Sequence, residues 1–357
     1  MVRQRLSDRT ARLACGWTAW SQKGHEVGQW AGFEDAAELV RITGAHAYPA
    51  LASTSADGGV LLVSAGEDGV YRWDPDTGER LWRAEGSYEG VQGLATVYAE
   101  GVPVLAAGTV MTGMVRWDAR TGEQLPGCDP DYPSFWDVDT AVLPGGRAIV
   151  VGASDNDLFR MDALTGELVD DPSGRQWRSF GRARWSTLAV RCCTLGDGTV
   201  AIVAGTRGAE VLRIDALTGQ PLGPTLQLDE EALCVPQVAT VDLPDGATLM
   251  VGAEFEGRIR RWNLHTGEPV GEPIDTGEQL PQLAALRLAG EPVLITSSDT
   301  QAVRCWHAVT GELLGTLPHI GRSWCTTSPD GAVLLAGTTH AGDLALYRLG
   351  SAEHTGG

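Results

Sequence analysis

At 357 residues, with 43% apolar and 20% charged side chains, the chain can form two average domains or one large β domain around a substantial core. Its net charge of −19 sets a mean field that repels nucleic-acid phosphates and anionic membranes, which argues against either as a partner. No apolar run approaches the roughly 20 residues of a membrane span.

At the start, Arg3, Arg5, Arg9 and Arg12 have no apolar stretch behind them, so no leader peptide is expected. Residues 1–37 carry Trp17, Trp20 and Trp30, three large apolar side chains that favour burial, so this arm is expected to dock in part on the body of the protein or on a partner. The cysteines at 15, 128, 192, 193, 234, 305 and 325 are odd in number and lack Cys-x-x-Cys spacing. So large a domain needs no disulfide framework, and a reduced, cytoplasmic protein is expected.

From residue 60 onward a short run recurs: VLLVSAG (60–66), VPVLAAG (102–108), RAIVVGA (147–153), TVAIVAG (199–205), ATLMVGA (247–253), EPVLITS (291–297) and AVLLAGT (332–338). Each is too short for an ordinary helix, rich in β-branched and small residues, and closes like a buried strand entering a turn. Six of the runs are followed by a second motif: RWDPDTGERLW (72–82), RWDARTGEQL (116–125), RMDALTGELV (160–169), RIDALTGQPL (213–222), RWNLHTGEPV (261–270) and CWHAVTGELL (305–314). The Thr-Gly pairs recur every 44 to 53 residues, the period of a four-stranded propeller blade.

The motif reads as a hairpin between the two outer strands of a blade. The apolar residue at Trp73, Trp117, Met161, Ile214, Trp262, Trp306 and Tyr347 ends the third strand and packs between blades. The acid after it accepts backbone N–H groups in the turn, and the glycine supplies a positive φ. The seventh unit stops after Tyr347 without a Thr-Gly turn. Because ELVRITGAH (38–46) resembles ELLGTLPHI (312–320), the N-terminal segment is expected to supply the missing outer strand and close the ring, leaving no open edge. The expected fold is all-β: a seven-bladed propeller of four-stranded antiparallel blades over residues 38–349, about 45 residues per blade, with a flexible tail over 350–357.

On these motifs the chain resembles the WD-repeat β-propellers, although within the repeated Thr-Gly motif Trp-Asp is literal only at Trp73-Asp74 and Trp117-Asp118. The resemblance implies a His–Ser–Asp–Trp network in the first blade through His46, Ser64, Asp68 and Trp73, and a structural role for His46 and His319. The Asp-Ala-Leu-Thr-Gly units also resemble the quinoprotein-type propellers, whose usual eight blades the chain does not supply.

Catalytic signatures are scarce. There is no phosphate-binding loop, no G-x-S-x-G elbow, and GHEVGQ (24–29) lacks the second histidine of a zinc helix. SDNDLF (154–159) groups Asp155, Asn156 and Asp157 but lacks the rest of a calcium loop and falls at a blade turn. Cys192 and Cys193 alternate faces of a strand, which points to packing. No metal or cofactor is expected.

One segment stands out, RQWRSFGRARW (175–185), with Arg175, Arg178, Arg182 and Arg184 among Trp177, Phe180 and Trp185, and no acid. It joins blade three to blade four, on the face where Trp136, Trp324, Arg322 and His319 also begin inner strands. Arginine forks and tryptophans are enriched at binding hot spots. The alternative is that these arginines pair locally with Asp170 and Asp171. The leading expectation is a noncatalytic scaffold that presents this face to a protein or peptide, one with acidic groups. The rivals are a lyase- or cyclase-type propeller enzyme using His319 or His46, or a sensor, either one binding a small anionic metabolite at the channel mouth.

Overall fold

The computed structural model describes residues 36–43, 50–54, 60–66, 69–84, 90–127, 134–155, 157–169, 185–228, 231–277, 279, 282–297, 302–317, 320–327, 332–339 and 341–349. All but the last two residues of the expected N-terminal arm, and the tail over 350–357, lie outside them.

The described residues form 26 strands in seven antiparallel sheets. The chain opens with β1 (Ala37–Ile42). Blade one is β2 (Ala50–Thr54), β3 (Val60–Gly66), β4 (Gly69–Trp73) and β5 (Arg80–Ala84). Blade two is β6 (Val91–Ala99), β7 (Val102–Thr109) and β8 (Met114–Asp118), and blade three is β9 (Phe135–Val142), β10 (Ala148–Ser154) and β11 (Asp157–Asp162). Blade four is β12 (Thr187–Thr194), β13 (Val200–Thr206), β14 (Glu210–Asp215) and β15 (Leu226–Gln227). Blade five is β16 (Gln237–Asp242), β17 (Thr248–Ala253), β18 (Arg258–Asn263) and β19 (Ile274–Asp275). Blade six is β20 (Gln282–Leu288), β21 (Glu291–Ser297), β22 (Val303–His307) and β23 (Leu313–Leu317). Blade seven is β24 (Ile320–Thr327), β25 (Val333–Thr339) and β26 (Leu344–Leu349), completed by β1.

The first strand of each blade touches the first strands on either side, so these strands line the centre of a closed ring. Closure follows the expected route: β1 pairs antiparallel with β26, Ala37 opposite Arg348 and Ile42 opposite Leu344. The fourth strand is less regular than expected. In blades two and three, among the described residues, it shrinks to one bridge, Trp117 to Gln124 and Met161 to Leu168. In blades four and five the bridge falls on Pro221 and Pro269, and pairing resumes only at the two-residue strands β15 and β19. Proline has no N–H to give a ladder, and Gln-Pro-Leu-Gly-Pro and Glu-Pro-Val-Gly-Glu-Pro break the run.

Among the described residues the core is divided into several clusters. Apolar clusters fill the seams between neighbouring blades, and the motif residue is the wedge: Trp117 packs with Leu61, Val63 and Val70 of blade one, and Met161 with Val104, Ala106 and Met114 of blade two. Trp306 likewise packs with Leu249, Val251 and Ile259 of blade five.

The Thr-Gly turn holds as expected. Asp162 Oδ1 accepts the N–H groups of Leu164 and Thr165 at 3.0 and 2.9 Å, and Asp215 Oδ1 those of Leu217 and Thr218 at 2.8 and 2.7 Å. In blade six a ring nitrogen replaces the carboxylate: His307 Nδ1 accepts from Val309 and Thr310 at 3.2 and 3.1 Å. The arginine that opens five of the motifs has a role that local sequence does not show. Each reaches into the next blade's turn: Arg72 Nη1 donates to Ala119 O at 3.0 Å, Arg116 Nη1 to Ala163 O at 2.7 Å and Arg213 Nη1 to Leu264 O at 2.7 Å. Arg160 donates to Ala216 O, and Arg261 Nη1 to Val309 O at 2.8 Å. Arg116, Arg213 and Arg261 also bind Pro126 O, Pro224 O and Glu272 O, the irregular segments after their own turns. Among the described residues the hydrogen-bond acceptors of these guanidinium groups are carbonyl dipoles, and burial pulls Arg160 down to about 10. The turn glycine permits the approach: Gly166 has φ 75°, and a Cβ there would collide with the Arg116 guanidinium.

Candidate functional site at the channel mouth

The pairing registers fix which loops share a face. Val91, at the start of β6, lies opposite Thr109 at the end of β7, and Gly108 lies opposite Met114 at the start of β8. The connections into inner strands and the turns between second and third strands therefore share one face, and the Thr-Gly turns lie on the other.

Trp136 and Trp324, singled out from the sequence, come together there. Both line one mouth of the central channel, with Asp137, Arg191, Gln237 and Gln282. Trp136 is fixed by donating Nε1–H to Asp155 Oδ1 at 3.1 Å, so Asp155 serves a blade turn, as expected. Trp185 stands elsewhere on this face: its indole lies against Gly208 in the blade-four turn and leaves no room for a Cβ. Arg175, Trp177, Arg178, Arg182, Arg184 and His319 lie outside the described residues, as do His46, Asp68, Asp170 and Asp171. Arg322 belongs to β24, but its side chain lies outside them too. From the expected first-blade network the described pair is bonded, Trp73 Nε1 donating to Ser64 Oγ at 2.8 Å. Blade six has a counterpart, Trp306 Nε1 to Thr296 Oγ1 at 3.0 Å.

Sequence reasoning missed the charged groups inside the channel. Asp137 and Asp139 project from β9 toward β12. Asp137 Oδ2 accepts from Arg191 Nη1 at 2.6 Å and from Val190 N at 3.1 Å, and Asp139 Oδ2 accepts from Cys192 N at 2.7 Å. The two carboxylates thus cover N–H groups on the unpaired inner edge of β12. Burial raises both acids, Asp139 to about 6, against the pull of Arg191. The available signal was the Asp-x-Asp alternation in FWDVDTAV, on an inner strand whose counterparts read LATVYA and LAALRL. Below the mouth the channel widens to about 310 Å³ between Asp139, Arg191, Thr96, Thr240, Ser323 and Trp324. Cys192 and Cys193 are free thiols, and burial pushes Cys193 up to about 12, in keeping with packing.

The same face exposes large apolar side chains: Trp185 at 44%, Leu233 at 64%, Phe255 at 37% and Met111 at 68%. Three of them sit on adjoining loops of blades four and five. Arg207 N donates to Ser186 O at 2.8 Å beside Trp185, and Phe255 N to Cys234 O at 3.2 Å beside Leu233.

The fold and this face define a propeller with an aromatic-rimmed central channel. Residues 14–270, more than half of the chain, match the family model described as outer membrane protein assembly factor BamB, PQQ_2, and the chain belongs to that family. This supports the quinoprotein-like resemblance; among the described residues the WD-type features of the repeated motif are two Trp-Asp pairs, the Ser64–Trp73 bond and its counterpart between Thr296 and Trp306. No curated protein matches the chain. Among solved structures, the crystal structure of the computationally designed Ika8 protein is similar, with a TM-score of 0.56 and 16% identity over 87% of this chain and 99% of that chain. That likeness concerns the fold alone.

Proposed function

We propose that this protein is a noncatalytic interaction propeller that presents the channel-mouth face to a protein or peptide partner. The observation that carries this reading is the exposure of Trp185, Leu233 and Phe255 on adjoining loops of blades four and five. Contiguous exposed apolar groups rimmed by charge mark interaction surfaces. The family's description as an assembly factor fits a partner-binding role. The arginine-rich segment that leads into Trp185 favours a partner with acidic groups beside its apolar ones.

The test is purification of the tagged full chain from its own host, with quantitative comparison of copurifying proteins. Trp185→Ala with Leu233→Ser, and separately Arg178→Ala with Arg182→Ala, should each deplete the same partner while the melting temperature holds. Undiminished recovery with both pairs would remove this face from the account. Free thiols at Cys192, Cys193, Cys234, Cys305 and Cys325 support placement in a reducing cytoplasm. Fractionation that finds the protein outside the cytoplasm would reject that part.

A further inference from the structure

We propose that the central channel binds an organic cation, an ammonium or guanidinium group on an unbranched stem, that enters between Trp136 and Trp324 and stops at Asp139. The inference goes beyond the partner reading and does not depend on it.

Charge is the first argument. The described ionised groups in the channel are Asp137, Asp139 and Arg191. Arg191 is already committed, its Nη1 donating to Asp137 Oδ2 at 2.6 Å and to Val190 O at 2.5 Å. Asp139 receives only backbone N–H donors among the described residues, and Arg191 reaches it through space. The described groups therefore leave the channel with one uncompensated carboxylate, inside a chain of net charge −19. An anion would meet this field with a penalty and a cation with a gain.

The second argument concerns why the group is a carboxylate. Capping the Cys192 N–H does not require one: Asn263 caps His265 and Thr266 equally well, at 3.0 Å each. An ionised carboxylate in this channel costs desolvation, which lifts its proton affinity to about 6. A cation beside it offsets that cost, and an amide would have avoided it. Size and rim agree with this. The space at the mouth, about 30 Å³, shares Arg191, Gln282 and Trp324 with the space of about 310 Å³ below it, and its narrowness suits a slim group. At the neck the Trp136 indole offers an electron-rich face of the kind that attracts organic cations.

The pH dependence follows from Asp139. Arg191 and Cys192 face it from β12, and Asp137 lies on its own strand. Thr96, Thr240, Gln282 and Ser323 line the channel from β6, β16, β20 and β24, and none of these titrates near neutrality. Cation binding should therefore weaken as pH falls through about 6.

The experiment is calorimetric titration of the full chain with agmatine, with N-acetyl-arginine amide, and with glutarate as the anionic control. Saturable binding of the cations and none of glutarate is expected, weakening at least about tenfold in Asp139→Asn with the melting temperature kept. A tighter agmatine complex identifies a free amine as the source; a tighter arginine-amide complex identifies a partner's side chain. If Asp139→Asn fails to fold, Trp136→Leu should show the same loss. Arg322→Gln should bind the cations at least as well as the unchanged chain. The assignment is overturned by no cation binding up to about 10 mM, by preference for glutarate, by loss of cation affinity in Arg322→Gln, or by unchanged affinity in a folded Asp139→Asn or Trp136→Leu.

Discussion

Tyr347 donates its hydroxyl to Glu38 Oε2 at 2.8 Å, joining the last described strand of the chain to the first across 309 residues. Glu38 also takes Arg41 at 2.9 and 2.6 Å, so one carboxylate organises the edge of β1 that closes the ring. Deleting residues 1–43 should expose the edge of β26, lower the melting temperature and promote aggregation. A truncated chain that melts as high and as cooperatively as the full one would reject closure by β1. Tyr347→Phe should cost about 1 kcal/mol. The Arg41 hydrogen bonds, aided by Tyr347, hold Glu38 below the ordinary glutamate range. Its contribution should thus be complete above that range and fade as pH falls through the lowered value.

Arg116 ties blade two to blade three through Ala163 O and to its own chain through Pro126 O. Arg116→Ala should cost about 3 kcal/mol or more, because it leaves a cavity and strands buried carbonyls. Arg116→Lys should rescue little, since an ammonium on one stem cannot span the carbonyls a fork reaches. Gly166→Ala should be destabilising by about 1–3 kcal/mol, from positive φ and collision with the Arg116 guanidinium. Urea unfolding of the three variants measures this, and near-neutral values would show the arginine bracket to be dispensable.

His307 accepts two backbone N–H groups through Nδ1, and burial lowers its proton affinity despite Glu291 and Glu312 nearby. The unfolded chain therefore binds this proton more readily than the folded one. The contribution is full above the unfolded value of about 6.5 and is lost as pH falls from there toward the lowered folded value. His307→Asn copies Asn263 in the preceding blade and should keep the turn while flattening that part of the stability–pH curve. A curve with the same slope in both proteins would place the titration elsewhere.

Much of the fold could be read in the chain because it is written by repetition. The second strands β3 and β21 have the limits their sequences suggest, and the others differ by one residue at one end or at both. The resemblance between residues 38–46 and 312–320 pointed to the closing strand. What the sequence concealed was long-range partnership. The arginine opening five of the motifs was visible in the sequence, but its acceptors are carbonyls in the next repeat, which carry no side-chain signature. The outer strands of blades two, four and five looked continuous because the Thr-Gly motif repeats, yet Pro126, Pro221, Pro224 and Pro269 fall where ladder donors were needed. At the candidate site, the aromatic rim at Trp136 and Trp324 was legible from strand position. Asp137, Asp139 and Arg191 were not, because their meaning depends on which strands meet across a channel.

Ser64 and Trp73 offer a smaller check on blade one. Their bond at 2.8 Å should give a coupling of about 1 kcal/mol in a double-mutant cycle of Ser64→Ala and Trp73→Phe. Additive effects would show that the indole is held by packing alone.

The measurement that bears most directly on the functional claim is hydrogen exchange of the full chain, alone and with its copurified partner. The account expects new protection on the channel-mouth face, over residues 110–113, 185–188, 207–209, 231–237 and 254–257. It expects none at the Thr-Gly turns around Thr77, Thr121, Thr165 and Thr218 on the opposite face. Protection confined to those turns, with the mouth face exchanging as in the free protein, would contradict it.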